Sequence, residues 1–250
     1  MRLLVVNPNT SAHMTTRIGA AARAAASRGT EIVAVNPAHG PVSIEGYFDE
    51  AFAVPGMLEE LIKGERDGAH AFVIACFDDT GLEAARCAVN GPVIGIGEAG
   101  FHVASLIAHR FSVVTTLSRS IAPIEANLMK YGLDRRCARV RACEVAVLAL
   151  EDPASGAGAK LSAEIETAKS EDGAEAIVLG CAGMADLAAA LSRKHELPVI
   201  DGVAAAVKLA EALVGLGLAT SKRGPYAPPL PKRFTGAFAA WGATERPHVP

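Results

Sequence analysis

Ala71-Phe-Val-Ile-Ala-Cys76-Phe-Asp-Asp-Thr-Gly-Leu-Glu-Ala-Ala85, closed by Gly91-Pro92-Val93-Ile94, has a second version further along the chain. That version is Ala176-Ile-Val-Leu-Gly-Cys181-Ala-Gly-Met-Ala-Asp-Leu-Ala-Ala-Ala190, closed by Leu197-Pro198-Val199-Ile200. In each, a short apolar run ends at a cysteine, an alanine-rich stretch follows, and Pro-Val-Ile opens another run. The cysteine precedes the proline by 16 residues in one copy (76 to 92) and by 17 in the other (181 to 198). A short β-branched run followed by a helix former and another apolar run reads as a βαβ unit with parallel strands.

Working outward, strands are expected at 2–7, 31–36, 71–75, 93–96, 112–116, 139–142, 176–179 and 199–201. Helices are expected at 10–26, 50–66, 81–88, 100–109, 121–131, 158–171, 184–193 and 203–215. Leu4-Val-Val-Asn7-Pro-Asn9-Thr10-Ser11 has its counterpart in Ser112-Val-Val-Thr115-Thr116-Leu-Ser118. The expected fold is therefore α/β: two pseudo-symmetric halves, each a four-stranded parallel sheet flanked by helices, with a site in the cleft between them. One half takes residues 1–97 plus 204–235 and carries Cys76; the other takes 98–203 and carries Cys181. Residues 236–250 are expected to form an extended or disordered tail. The basic, proline-rich segment before it, from Ser221, reads as an arm laid along the body.

With 250 residues, half of them apolar and a fifth charged, the chain can bury a sizeable core. A net charge of −3 and 5% aromatics give no footing for nucleic acid or an anionic membrane. The longest apolar candidate, 203–219, is interrupted by Lys208 and Glu211; no run reaches the roughly 20 residues that span a bilayer. The first strand is too short in its apolar part to read as a signal peptide. Five cysteines in such a chain suggest reduced thiols and a cytoplasmic setting. With no CxxC and no Cys/His cluster, no metal site is expected.

Carboxyl ends of parallel strands are where α/β proteins bind ligands, and a thiol stands at two equivalent ends. A helix N-terminus after each would favour thiolate, whereas Asp78 and Asp79 would oppose it unless they cap a helix and point away. A thiolate that takes a proton from a carbon beside a carbonyl, with a thiol on the opposite face, inverts that centre by acid–base catalysis. Backbone N–H groups, Asn9 and Thr116 are candidates for stabilising the oxyanion. Such chemistry asks for no cofactor when the C–H is already acidic. Cys87, Cys137 and Cys143 lack this context and are assigned to structure.

These segments resemble the aspartate/glutamate racemase superfamily and, within it, the hydantoin racemase and allantoin racemase family. The carrying residues are Asn7-Pro-Asn9-Thr10-Ser11, Gly40-Pro-Val-Ser-Ile-Glu45-Gly-Tyr47-Phe-Asp49-Glu50, Ala75-Cys76-Phe77-Asp78-Asp79-Thr80-Gly81 and Leu179-Gly180-Cys181-Ala182-Gly183-Met184. The likeness covers roughly residues 1–235 and implies cofactor-independent racemisation by Cys76 and Cys181. It implies a homo-oligomer and a small cyclic ureide as substrate. Phe77-Asp78 and Ala182-Gly183-Met184 replace the more polar neighbours of the amino-acid racemases, which points to a 5-monosubstituted hydantoin. Substrate contacts are expected from Asn9, Ser43, Ile44, Tyr47, Phe77, Thr116, Gly180 and Gly183. Allantoin racemase, amino-acid racemase, maleate isomerase and arylmalonate decarboxylase chemistry remain as alternatives. So does a non-catalytic binding protein or a redox sensor using a Cys76–Cys181 disulfide.

Gly95-Ile-Gly97-Glu-Ala-Gly100 satisfies GxGxxG after a strand. No acid stands about 20 residues on, where a ribose would need one, and dinucleotide binding is set aside. His13, His39, His102 and His109 read as surface or supporting residues.

Overall fold

The structure, a computed structural model, describes residues 1–242. Eight parallel strands form two sheets of four, in the orders β2-β1-β3-β4 and β6-β5-β7-β8. The first comprises β1 (Arg2–Val6), β2 (Glu31–Val35), β3 (Ala71–Ile74) and β4 (Val93–Gly95). The second comprises β5 (Phe111–Thr115), β6 (Cys137–Ala142), β7 (Ala176–Gly180) and β8 (Val199–Asp201). Strands β3, β5 and β7 are fully buried, and β3 and β7 are apolar along their length, as suits parallel strands covered on both faces.

Helices α1 (Ala12–Ala25), α2 (Tyr47–Arg66) and α3 (Leu82–Ala88) belong to the first repeat, and α5 (Ile121–Lys130), α6 (Ala157–Glu171) and α7 (Ala188–His195) to the second. The last helix of each repeat, α4 (Ile96–Ile107) and α8 (Gly202–Gly215), crosses to the other side. The two pack on each other, α4 also against β7 and α8 also against β3. Their apolar faces fuse the halves: Val5, Val73, Phe101, Phe111, Val178, Val203 and Ala206 share one buried cluster. Each fully buried side chain of this size contributes about 1.5–3 kcal/mol, so the interface is core rather than a wetted seam.

Two expectations shift. Helix α4 begins at Ile96 instead of residue 100, for a reason given below. Residues 182–187 form a 3₁₀ turn ahead of α7 instead of α-helix. The basic arm does lie on the body. Thr220 bonds the Asn90 and Gly91 carbonyls at 3.0 and 2.8 Å, and the Arg86 guanidinium sits 5.7 Å over the Tyr226 ring. Of the tail expected to be extended or disordered, residues 236–242 form a 3₁₀ turn, and 243–250 lie outside the described residues.

A Ser–His–Glu array has no catalytic setting. Ser162 Oγ lies 2.8 Å from His195 Nε2, and His195 Nδ1 pairs with Glu166. Ser162 and His195 are buried between α6 and α7, away from the cavity described next, and the array ties those helices together.

Candidate active site

In each sheet the chain moves outward from the central strand to one neighbour, then crosses to the other side. β1 is followed by β2 on its left and β3 on its right, and β5 by β6 and β7 likewise. The crevice at such a switch point is where open α/β sheets bind ligands. Asn7-Pro8-Asn9 and Cys76 leave the first crevice, and Thr116 and Cys181 leave the second. The two crevices face each other across one cavity, lined by Asn7, Asn9, Ile44, Phe77, Asp78, Thr116, Ser120, Gly180 and both cysteines among others.

The first wall is built by short-range polar bonds. Asn7 is buried and donates to Asn9 Oδ1 at 2.8 Å and to Thr15 Oγ1 at 3.0 Å. Asn9 Oδ1 also accepts from the Ser11 N–H, leaving its amide nitrogen, among the described residues, only the Met14 sulfur, 3.4 Å away. A sulfur is a weak acceptor, so this N–H₂ is open to a better one. The Thr116 and Ser120 side chains are buried and have no hydrogen-bond partner among the described residues. Phe77 meets Phe101 edge-on with centroids 5.3 Å apart, which anchors the cysteine loop in the core.

Each sulfur has matching local donors. Thr80 Oγ1 donates to Cys76 Sγ at 3.2 Å, and the Asp78 N–H faces the same sulfur; the Gly183 N–H faces Cys181. These donors favour thiolate, but burial outweighs them. The Cys76 thiol is pushed well up and the Cys181 thiol up to about 12, with Asp78 adding to both shifts. The expectation that helix N-termini lower these thiols is thereby corrected. Helix α3 starts only at Leu82, too far from Cys76 for its dipole to act, and desolvation governs both sulfurs.

The two acids after Cys76 part company. Asp79 turns away, in a left-handed backbone conformation (φ 51°), and its carboxylate accepts from Gly97 N at 2.9 Å, Glu98 N at 2.8 Å and Tyr131 Oη at 2.7 Å. It thus caps α4 from another loop. In the second half the matching cap is in place: Asp201, at the residue before α8, accepts from Val203 and Ala204 N–H. Gly95 stands where Asp201 would, and a Cβ there would overlap Asp79 Oδ1 outright. The glycine motif is therefore the seat of a carboxylate and not of a pyrophosphate. Asp78 faces the cavity instead.

Each cysteine loop is gripped by the opposite half. From α5, Asn127 Nδ2 donates to the Asp78 carbonyl at 2.8 Å, beside the Tyr131 bond to Asp79. From α1, Arg17 donates to the Leu150 carbonyl at 3.1 Å, to the Gly183 carbonyl at 3.4 Å and to Asp186 at 2.8 Å. Glu45 also accepts from the Val147 N–H at 3.0 Å across the cleft.

Of the residues expected at the site, Cys76, Cys181, Asn9, Ile44, Phe77, Thr116 and Gly180 line one cavity. Ser43 and Tyr47 do not: Ile44 alone of their loop turns inward, and Tyr47 opens α2 with its ring exposed. Gly183 stands just behind the wall, where a Cβ would lie 3.7 Å from Cys181 Sγ. Met14, Asp78, Ser120 and Val147 were not among the expected contacts; Ser120 stands two residues beyond Ser118, where the quoted strand-end motif stops, the one signal that could have found it. His13, His39, His102 and His109 are all exposed. Among the described residues no group of three or more His, Cys, Asp or Glu is placed to hold a metal, and no helix is long and apolar enough to cross a membrane.

The family profile described as "Asp/Glu/Hydantoin racemase" matches residues 3–210. The chain belongs to that family. It is 52% identical to a hydantoin racemase of Rhizobium meliloti over 236 residues, 94% of this chain and 98% of the relative. It is 47% identical to a hydantoin racemase of Pseudomonas sp. (strain NS671) over 246 residues, 98% of each. The allantoin racemase structure from Klebsiella pneumoniae superposes with a TM-score of 0.95 at 52% identity, covering 98% of this chain and all of that one. Membership makes the protein an isomerase of the racemase type.

Proposed function

We propose that this racemase inverts C5 of 5-monosubstituted hydantoins with Cys76 and Cys181 as its two acid–base groups. The observation that carries the reading is that sulfurs from equivalent ends of β3 and β7 line the same cavity from opposite halves. In a hydantoin, C5–H lies between a carbonyl and a ring nitrogen, so its removal gives an enolate. One thiolate takes the proton, the C–H electron pair moves onto the C4 carbonyl oxygen, and the opposite thiol protonates C5 on the other face. The open amide of Asn9 and the hydroxyls of Thr116 and Ser120 are the donors we assign to the ring oxygens. Ile44, Phe77 and Gly180 shape the wall against the ring.

Allantoin is itself a hydantoin with a ureido group at C5. The likeness to the Klebsiella pneumoniae allantoin racemase, together with Asp78, Thr116 and Ser120 in the wall, favours a polar C5 substituent of this kind as a second reading. The test follows the optical rotation of enantiopure 5-benzylhydantoin, 5-isopropylhydantoin and allantoin side by side. The expected result is decay to zero rotation with wild type and loss of net racemisation in Cys76→Ser and Cys181→Ser. In deuterium oxide, each single variant is expected to exchange the C5 proton of at most one enantiomer. Wild-type rates in both variants would end the two-thiol reading.

A further inference from the structure

The cavity holds an acid that the two-thiol scheme leaves unused. Asp78 lines the same cavity as both sulfurs, yet its carboxyl has no hydrogen-bond partner among the described residues. Its backbone is fixed, with the carbonyl bonded to Asn127 and the N–H against Cys76. Its neighbour Asp79 has three donors. Asp78 is half-buried, and a carboxyl held unpartnered at the edge of a cavity, beside a neighbour with three donors, is free to exchange protons with what the cavity holds.

Resting on the racemase reading, we propose that Asp78 is the proton exchanger between the two thiols, arming one as base and resetting the other after turnover. In arming, the S–H bond of one cysteine breaks, its proton bonds to a carboxylate oxygen of Asp78, and the sulfur keeps the electron pair. That thiolate takes the C5 proton and becomes a thiol again, while the opposite thiol gives its proton to C5 and is left as thiolate. Asp78–COOH then protonates this second sulfur and returns to carboxylate. One negative charge circulates among three groups, and no outside acid or base is consumed.

The surroundings suit this role. The charged or titratable groups facing Asp78 are Glu50 of α2, Asp79 in its own loop and the two cysteines. Arg17 of α1 acts on the far cysteine. Burial, then Glu50, then Asp79 raise Asp78 to about 7, between an ordinary carboxyl and the raised thiols. The gap across which a proton must climb from sulfur to carboxylate is correspondingly smaller.

The experiment uses the full chain and a hydantoin that wild type racemises. Asp78→Asn should lower kcat at pH 7 by about 100-fold or more, leave KM within about three-fold, and erase the limb of the kcat profile near neutrality. Asp78→Ala should be rescued saturably by added formate, which enters the space left by the carboxylate. Wild-type kcat and profile in Asp78→Asn would overturn the proposal. So would a raised KM with the limb intact, the mark of a group that only binds substrate. Absence of formate rescue in a folded Asp78→Ala, checked by circular dichroism, would count against it equally. Wild type without turnover on any ureide would defeat the racemase reading itself, a separate failure.

Discussion

Gly95→Ala tests how the Cys76 loop is held. A methyl group there would overlap Asp79 Oδ1 and lie 2.5 Å from its Cγ, with the Asp79 Cβ at 3.1 Å. The carboxylate must leave, and the Gly97 and Glu98 N–H groups and the Tyr131 hydroxyl lose their acceptor together. Hydrogen bonds to a charged group contribute about 1.5–3 kcal/mol each, and a buried donor left bare costs about 1–3 kcal/mol. Allowing for partial repair by water, the loss is about 3–6 kcal/mol, or a fall in Tm of about 6–24 °C for a chain of this size. Urea and thermal unfolding read it directly. The cause is isolated by a cycle: Gly95→Ala added to Asp79→Ala should cost less than about 1 kcal/mol more, because the obstacle is gone. Gly95→Asp with Asp79→Ala moves the cap to the position Asp201 occupies before α8, and should recover at least about 2 kcal/mol over Asp79→Ala alone. Additive losses, or a Gly95→Ala protein within about 0.5 kcal/mol of wild type, would refute the account.

Three further outcomes are expected. With Cys181 near 12, about one molecule in ten thousand carries that thiolate at pH 8, against about a quarter for a thiol titrating at 8.5. Iodoacetamide should therefore alkylate Cys76 and Cys181 at least about 100-fold more slowly than free cysteine, and equal rates in peptide mapping would contradict the burial argument. Arg17→Gln removes a cation that favours the Cys181 thiolate and the grip on its loop; kcat should fall about ten-fold, with the alkylation rate lowered at Cys181 and unchanged at Cys76. Asp78 titrates near 7 when folded against 3.8 as the ordinary value. A raised carboxyl favours folding below about pH 4, and that contribution is lost as pH rises through about 7. The stability of Asp78→Asn relative to wild type should accordingly increase across this interval, measured by urea midpoints; a constant difference would disprove it.

Much of this was readable in one dimension because its causes are local. Apolar runs set the strands, and β-strand ends must carry the residues that face a ligand, so Cys76 and Cys181, with Asn9 and Thr116, stood out by position alone. What escaped depends on contacts across the chain. The glycines at 95 and 97 invited a nucleotide because their true neighbour, Asp79, lies 16 or more residues away in sequence. The same holds for Arg17, whose partners are 133 to 169 residues off. Ser43 and Tyr47 were expected from the resemblance of segment 40–50, and which side chains of that loop turn toward the cavity is decided by the fold. The thiols were expected low because a helix start is visible in sequence, whereas the depth of burial that raises them is not.

The crossed grips have a consequence for any attempt to divide the chain. A fragment ending before α5 would keep Cys76 but lose the Asn127 and Tyr131 bonds that hold its loop. The complementary fragment would keep Cys181 without Arg17. Neither piece owns a finished half-site, so mixing separately made fragments can restore activity only if α4 and α8 interlock as they do in the continuous chain.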